Sequence, residues 1–437
     1  MAKNSITDYD NVANNNTDIQ SVDIAENCAP SGINNAIREL MADLADVNDG
    51  TVALTSPKAG SVTTDTISES TTDNGVAVDG MTIKDGAVGT TASPATANLT
   101  SINGGQIGGR RNMLFNGDMR IWQRSTSQAY GSGAQNAYLT ADRWKTTRNN
   151  GSSVTQAQST DAPDGFANSF GLTVTTADGT LDAGDYEYNA QWLEGYDVQH
   201  LKYGTADAKP VTVSFWVKCS LTGNFVLNLY ASGSSANYNI GTTITINSAN
   251  TWEYKTVTFA GLTTDTIPND NALRFGIFFY TTAGSTYTST DNTSWGVYAS
   301  PYGRAAYGQT LNLSGTLGAT FKVTGFQIEV GSVATEFEHR SYGEELANCM
   351  RYYQISTHQN TYGGYVAAAV FHYENIVLGI HMRATPTVTT TYVGHSRFDT
   401  VPPAVTGGSP DGFYAYDQAT STGQGYYIFT WVADSEL

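Results

Sequence analysis

Residues 211–218, VTVSFWVK, alternate without a break: Val211, Val213, Phe215 and Val217 fall on one side, Thr212, Ser214, Trp216 and Lys218 on the other. A period of two turns one set toward a core and the other outward, which is the pattern of a strand and not of a helix. The alternation recurs at Phe170, Leu172 and Val174, at Phe225, Leu227 and Leu229, over residues 252–259, and at Leu273, Phe275, Ile277 and Phe279. Residues 110–340 therefore hold a set of antiparallel strands, and a jelly-roll β-sandwich is the expected way to bury them. The other all-β arrangement, an immunoglobulin-like sandwich, has no Cys and Trp pattern to support it.

The sandwich opens at residues 112–144, NMLFNGDMRIWQRSTSQAYGSGAQNAYLTADRW. Met113, Phe115, Met119, Ile121 and Trp122 flank the turn signal Asn116-Gly117-Asp118 and read as a first strand; Asp142-Arg143-Trp144 restarts an apolar run after a Gly/Ser/Ala loop. The expected partner lies far downstream, where Phe321, Val323, Phe326, Ile328 and Val330 read as a strand buried on both faces. First and last strands then meet in a closed sandwich.

A chain of 437 residues is too long for one ordinary core. Four regions are expected: 1–50, 51–109, 110–340 and 341–437. In residues 1–30 the apolar positions are sparse (Ile6, Tyr9, Val12, Ile19, Val22 and Ile24), so ordering them requires a surface from another protein; a disordered end is the alternative. Ser31 can cap a helix that runs to Val47 and stops at Asn48-Asp49-Gly50. Ile33, Ile37, Leu40, Leu44 and Val47 are spaced 4, 3, 4 and 3 apart, a heptad seam. So short a seam cannot hold alone. It lies either on a three-fold axis between copies of the chain or against another protein.

Residues 51–109 resemble a linker, yet Asn74-Gly75, Asp79-Gly80 and Asp85-Gly86 separate very short strands carrying Val76, Val78, Met81, Ile83 and Val88. One chain cannot bury these. Three winding together can, so an intertwined trimeric β shaft with Val76, Val78 and Ile83 in contact is expected, followed by a hinge over 94–109. Beyond the sandwich, Ser341-Tyr342-Gly343-Glu344 fits a capping box, and Leu346, Cys349, Met350 and Tyr353 share one face of a short helix. Residues 365–373, 376–383 and 426–432 read as strands of a small C-terminal β domain that is marginal alone. The chain as a whole is expected to be mainly β.

Hydrophobic residues are 40% and charged residues 14%, with abundant Gly, the balance of a turn-rich β protein. The formal net charge of −18 creates a field that repels nucleic acid and anionic membranes, so DNA binding is disfavoured; solubility is the simplest role of the acidity. Cys28, Cys219 and Cys349 are odd in number and widely spaced, proposing neither a disulfide framework nor a zinc site. The polar start, MAKNSITDYD, has no secretion-signal core, and no stretch approaches the ~18 apolar residues of a membrane span. Neither secretion nor membrane insertion is expected.

Several motifs together resemble the tail-fibre proteins of tailed bacteriophages, especially short-tailed marine and environmental ones. They are NMLFNGDMRIWQR with TADRW, then AKPVTVSFWVK, then FQIEVGSVATEFEHRSYGEELANCMRYYQ, in the family's order. The leader NVANNNTDIQSVDIAENCAPSGINNAIRELMADL resembles the fibre N-terminus that docks on the tail. The resemblance implies a virion structural protein assembled in the host cytoplasm, usually a homotrimer, that joins tail or adaptor proteins through its N-terminus and recognises the host surface. It does not identify the ligand. The jelly roll resembles carbohydrate-binding modules, so a cell-surface glycan is the expected receptor, with a surface protein the other possibility. Such modules often hold a calcium between first and last strands. Here Asp118, Gln327 and Glu329 are nearby oxygen donors but Arg120 would repel the ion, and no metal is expected.

No serine elbow, phosphate-cradling loop or zinc spacing is present. Asp182, Asp185, Glu187 and Glu194 could supply a glycosidase acid and base, but among 40 Asp and Glu such clusters arise freely. The repeats of a β-helix tailspike are missing. The chain is therefore expected to be no enzyme and to need no cofactor; a polysaccharide depolymerase, or a structural spacer carrying another receptor-binding protein, are the alternatives. His372 and His381 could meet symmetry mates at a metal, ordinary solvent-facing histidines being the simpler reading. Receptor contact is expected in residues 280–309, where Tyr280, Tyr287, Trp295, Tyr298, Tyr302 and Tyr307 are interleaved with small polar residues, a paratope-like mixture. Asp291, Asn292 and Arg304 would bond hydroxyls. The competing reading has these rings covering the sandwich edge or a subunit interface.

Overall fold

The computed structural model describes residues 8–10, 12, 15–25, 27–48, 110–399 and 401–437. They belong to two compact units, within Met1–Ala97 and within Asn98–Leu437. The expected shaft at Val76, Val78 and Ile83, and the hinge, lie outside the described residues.

In the first unit a tight turn, β1 (Asp18–Ile19) and β2 (Val22–Asp23), packs on helix α1 (Pro30–Asn48). The described part of residues 1–30 folds back on the helix. The Tyr9 hydroxyl and the Gln20 amide both donate to the Asp43 carboxylate, the second at 2.8 Å, and Asp43 and Ala36 are buried. The helix begins at Pro30 rather than after Ser31, because a first-turn proline gives up no hydrogen bond. The seam is open: Ile33, Ile37 and Leu44 are about half exposed, Leu40 is half-buried, and the Val47 side chain is outside the described set.

The second unit begins with strands β3 (Ser127–Tyr130), β4 (Gln135–Tyr138), β5 (Lys145–Asn149), β6 (Ser153–Ser159), β7 (Ser169–Thr176) and β8 (Tyr186–Glu194). It continues with β9 (Val211–Cys219), β10 (Gly223–Ser232), β11 (Asn237–Ile246), β12 (Glu253–Phe259) and β13 (Leu273–Ala283). The short helix α2 (Ser285–Thr288) leads to β14 (Gly296–Val297) and β15 (Thr320–Val330). These form a jelly-roll sandwich of a seven-stranded sheet, β14-β11-β10-β13-β8-β5-β4, and a six-stranded sheet, β12-β9-β15-β7-β6-β3. The alternating sets enter the core as the period demands: Val211, Val213, Phe215, Val217, Phe225, Leu227, Leu229, Phe275, Ile277 and Phe279 are all inaccessible. Phe279 of the seven-stranded sheet stacks on Phe321 of the six-stranded sheet at 5.7 Å between ring centroids, joining the layers, and Phe215 stacks on Phe326 within the six-stranded sheet at 4.6 Å.

Residues 112–122 are not the first strand that their apolar residues suggest. They run beside β15 as a buried irregular segment, with Met113 N–H donating to the Ile328 carbonyl and Phe326 N–H to the Gly117 carbonyl, both at 2.9 Å. Two residues prevent a strand. Asn116 is left-handed (φ 52°), and a Cβ on Gly117 would sit 2.1 Å from the Phe326 oxygen. The Asn116 amide donates to the Ile121 and Asp142 carbonyls at 2.9 and 3.0 Å, while its oxygen accepts the Arg120 and Ile121 N–H groups, both at 2.9 Å.

Helix α3 (Tyr342–Met350) follows, with the Ser341 hydroxyl accepting the Glu344 N–H, half of the expected capping box; the Glu344 carboxylate goes instead to Arg110 at 2.7 Å. Next come β16 (Tyr353–Ile355), β17 (Asn360–Val366), β18 (Phe371–Val377), β19 (Thr387–Ser396), β20 (Ala404–Ser409), β21 (Gly412–Gln418) and β22 (Gly423–Asp434). The strands expected at 365–373 and 376–383 are displaced toward the N-terminus. Ala369 is left-handed (φ 63°), turning the chain inside the first, and residues 378–383 leave the sheet. Sheets β16-β22-β17, with β19 beside β22, and β18-β21-β20 enclose Ile376, Phe413, Tyr427, Phe429 and Trp431.

Cations bind this small sandwich to the large one. Arg143, wholly buried, lies 3.4 Å over the Tyr352 ring centroid and pairs with Glu436. Arg351 donates twice to Glu194, at 2.9 and 2.8 Å, and the Tyr352 hydroxyl donates to the same carboxylate at 2.7 Å. Arg124 lies 3.6 Å over Tyr353 and reaches Asp434 at 3.1 Å. Among the described residues no helix is long and apolar enough to cross a membrane.

Removing one member of a buried ion pair strands the other, so Arg143→Ala should cost about 3–5 kcal/mol in chemical denaturation, with part recovered in Arg143→Met/Glu436→Gln. Burial lifts the Asp142 carboxyl to about 6 against the pull of Gln123 and Arg124. Its protonated form favours the fold, an advantage complete below the ordinary value of 3.8 and lost as pH rises through about 6. The contribution of Asp142 to the melting temperature should therefore fall between about pH 4 and pH 6, and be absent in Asp142→Asn.

Candidate functional site

Along β8 the alternation sends Glu187, Asn189 and Gln191 into the sandwich and Tyr186, Tyr188 and Trp192 to the outer face of the seven-stranded sheet. Tyr230 of β10 and Phe278 and Tyr280 of β13 join them. Gly276 is the cross-strand partner of both Trp192 and Tyr230. A Cβ there would lie 2.4 Å from the indole, so its absence lets Trp192 spread across β13, edge-on to Phe278 at 4.7 Å and to Tyr230 at 5.3 Å.

The chain after β13 then folds back over this face. Helix α2 brings Tyr287 against Tyr186 (5.0 Å); the return segment brings Tyr298 against Tyr230 (5.9 Å) and Tyr302 against Tyr298 (5.1 Å). Ala305 and Ala306 are fully buried, and the Asn228 amide donates to the Ala305 carbonyl at 2.8 Å, holding the segment down. What remains open is a groove of about 400 Å³ walled by Tyr186, Tyr188, Trp192, Tyr230, Tyr287, Tyr298 and Tyr302, with Tyr280, Asn237 and Leu273 completing it. Its volume is that of a small-ligand site, and its lining contains no charged side chain.

Burial, and then the neighbouring phenols, push the Tyr280 hydroxyl well above its ordinary value. Burial likewise raises Tyr188, Tyr230, Tyr287 and Tyr298. The groove thus stays uncharged across the physiological range. It offers flat π faces and neutral hydroxyls, the means to hold a flat, polar, uncharged ligand, and no acid–base pair. The six-stranded sheet bears a second recess at Phe166, Trp216, Tyr254 and Phe337, but Asp164 and Glu336 join its lining and fewer rings wall it.

Of the residues singled out in 280–309, the structure gathers Tyr287, Tyr298 and Tyr302 at the groove. Tyr280 is its floor, 2% exposed, and so not a free contact. Trp295 is turned away: its indole donates to the Ala260 carbonyl at 2.7 Å and packs on Tyr203. Arg304 is an internal brace, bonding the Asp291 and Ser294 carbonyls and Asn239. Asn292 is buried, donating to the Arg304 carbonyl; Tyr307 is exposed outside the groove. The strand residues Tyr186, Tyr188, Trp192 and Tyr230 escaped the sequence reading, although Tyr-x-Tyr-x-Ala-x-Trp carries the period of two.

Three of the four carboxylates weighed as an acid and base are occupied. Glu187 accepts from Arg148 at 2.9 Å with both side chains inaccessible, Glu194 is held by Arg351 and Tyr352, and Asp185 accepts the Asp182 N–H at 2.7 Å. His372 bonds the Tyr362 hydroxyl and His381 the Asp411 carboxylate, each at 2.7 Å. Asp118 pairs with Arg120, and Glu329 accepts from Gln327 and Thr335.

No family model and no curated protein matches the chain. Solved structures similar to it include the enzymatically active domain of tailspike protein 4 of bacteriophage CBA120, 14% identical with a TM-score of 0.25 over 50% of this chain. The chain covers 21% of that tailspike. A xylan-binding domain from Paenibacillus barcinonensis is 11% identical, with a TM-score of 0.24 over 47% of this chain and 100% of its own. A family 11 carbohydrate-binding module from Clostridium thermocellum, in complex with a mixed-linked tetrasaccharide, is 13% identical, with a TM-score of 0.24 over 48% of this chain and 100% of its own.

Trp295→Ala should lower stability by about 1–3 kcal/mol, through lost packing on Tyr203 and a lost indole hydrogen bond, whereas Tyr302→Ala should change it by less than ~1 kcal/mol. Paired urea denaturation curves measure both.

Proposed function

We propose that this chain is a receptor-binding tail-fibre protein of a bacteriophage virion, and that it holds an uncharged stretch of a host cell-surface glycan in the tyrosine groove without cleaving it. The observation that carries the binding half is the groove itself: seven aromatic rings walling an uncharged cleft. Sugar rings present apolar C–H faces that stack on aromatic planes, and equatorial hydroxyls that exchange hydrogen bonds with phenols. A lining without carboxylate or amine selects against charged ligands, since a buried unpaired charge is costly.

The virion half is supported by the ordered series of fibre-like motifs. On this reading the chain is a homotrimer, and its N-terminal unit joins a tail or adaptor protein. Multiplying a weak groove over copies and fibres supplies avidity that no single site needs to have. The non-enzymatic half is supported by the ion pairs that occupy Glu187 and Glu194.

On an array of neutral and acidic glycans, the full-length protein should retain neutral members only. Trp192→Ala and Tyr302→Ala should each weaken that retention about tenfold, roughly 1.4 kcal/mol. Retention unchanged in both variants, or preference for acidic glycans, would remove the groove as the site. Release of reducing ends during incubation would favour the depolymerase.

A further inference from the structure

The outer face of the six-stranded sheet carries a different chemistry from the tyrosine groove. On β9 the outward set includes Trp216, and its cross-strand partner on β12 is the exposed Tyr254, with the two ring centroids 5.2 Å apart. Beside them the register of β15 shifts between Thr324 and Gln327, and Gly325 at that bulge is left-handed (φ 65°). A Cβ there would lie 2.7 Å from the Phe166 ring and 3.3 Å from the Trp216 indole, so the glycine lets Phe166 approach Trp216 over the strand. The Thr324 hydroxyl donates to the Asn168 carbonyl at 2.8 Å and holds that side down. Residues 334–339 close the other side, pinned where the Thr335 N–H donates to Glu329 and the Glu338 N–H to the Gln327 amide oxygen, both at 2.8 Å. Phe337 and His339 then stand against Phe166, at 5.1 and 5.3 Å between centroids.

Two exposed carboxylates, Asp164 and Glu336, join this wall of rings, and no lysine or arginine does. Neither carboxylate is ion-paired among the described residues. Lys218 and Lys322 of the same sheet turn instead to Asp161, at 3.1 and 2.6 Å, and Arg111 is bonded to the Thr335 hydroxyl and the Glu336 carbonyl. We propose that this recess is a second binding site, for a quaternary ammonium group of the choline type. Aromatic faces attract a cation lying within about 6 Å of a ring centroid, and the two carboxylates supply the charge that complements it. A bare ammonium asks for three hydrogen-bond acceptors, and the Thr335 hydroxyl already serves Glu329. A methylated ammonium asks for none and lies against ring faces. A phosphate on the same ligand would meet Asp164 and Glu336, so the free cation is the occupant rather than a phosphocholine headgroup. This site lies on the sheet opposite the tyrosine groove, and either can fail without the other.

Titration of choline with the full-length protein, followed by the broadening of its methyl proton resonance, tests the assignment. Choline should bind about tenfold more tightly than its neutral carbon isostere, in which a tert-butyl group replaces trimethylammonium, and more tightly than phosphocholine. Trp216→Ala should weaken choline binding about tenfold, and so should the double variant Asp164→Asn/Glu336→Gln. The double variant changes only exposed side chains and should keep the wild-type melting temperature, which separates binding from folding. Equal binding of the neutral isostere, tighter binding of phosphocholine, no detectable binding of choline, or choline binding unaltered in either variant would overturn the site.

Discussion

The amide of Asn116 makes four hydrogen bonds to main-chain groups of Arg120, Ile121 and Asp142, its own carbonyl accepts the Trp144 indole N–H at 3.1 Å, and its N–H meets Glu345 of α3. Few side chains can do this. Asn alone combines a short reach, two donors and an acceptor with tolerance of a left-handed backbone. The knot ties residues 112–144 together and to α3, while the neighbouring Met113 and Gly117 hold the segment against β15, and Arg143 and Arg124 are thereby brought to Tyr352, Tyr353 and Glu436. One irregular segment thereby sets both the closure of the large sandwich and the attachment of the small one.

The strands that face a core were legible from their apolar pattern: residues 211–217 fold as their period of two indicates, and residues 321–330 form the expected strand buried on both faces, with a register shift between Thr324 and Gln327. The helix at Tyr342–Met350 was legible from its cap. Residues 112–122 were not, since a run of buried apolar residues looks the same whether its backbone is paired in a ladder or tied by one side chain. The C-terminal strands were misplaced for a related reason. With apolar residues on both sides of β18, alternation no longer marks which face is inside, and the turn at Ala369 rests on a backbone conformation rather than a turn residue.

The groove shows the same limit from the other side. Its loop half, Tyr287, Tyr298 and Tyr302, stands out by composition; its strand half, Tyr186, Tyr188, Trp192 and Tyr230, lies among carboxylates that drew attention as a possible acid and base. Composition could not separate Tyr302, which lines the groove, from Trp295 and Arg304, which hold the loop in shape. That division depends on where the chain returns after β13, and on Gly276 making room for an indole. Glu187 and Glu194 are held by arginines that reach them from positions remote in sequence.

The most direct measurement of the central claim is a crystal structure of the full-length protein with a retained neutral oligosaccharide. The account predicts sugar rings lying face-on to Trp192 and the Tyr298–Tyr302 pair, at ordinary van der Waals distance, with phenol hydroxyls bonded to sugar hydroxyls and no water-filled gap between. Sugar density on the Trp216–Tyr254 recess of the opposite sheet, with the tyrosine groove empty, would contradict it.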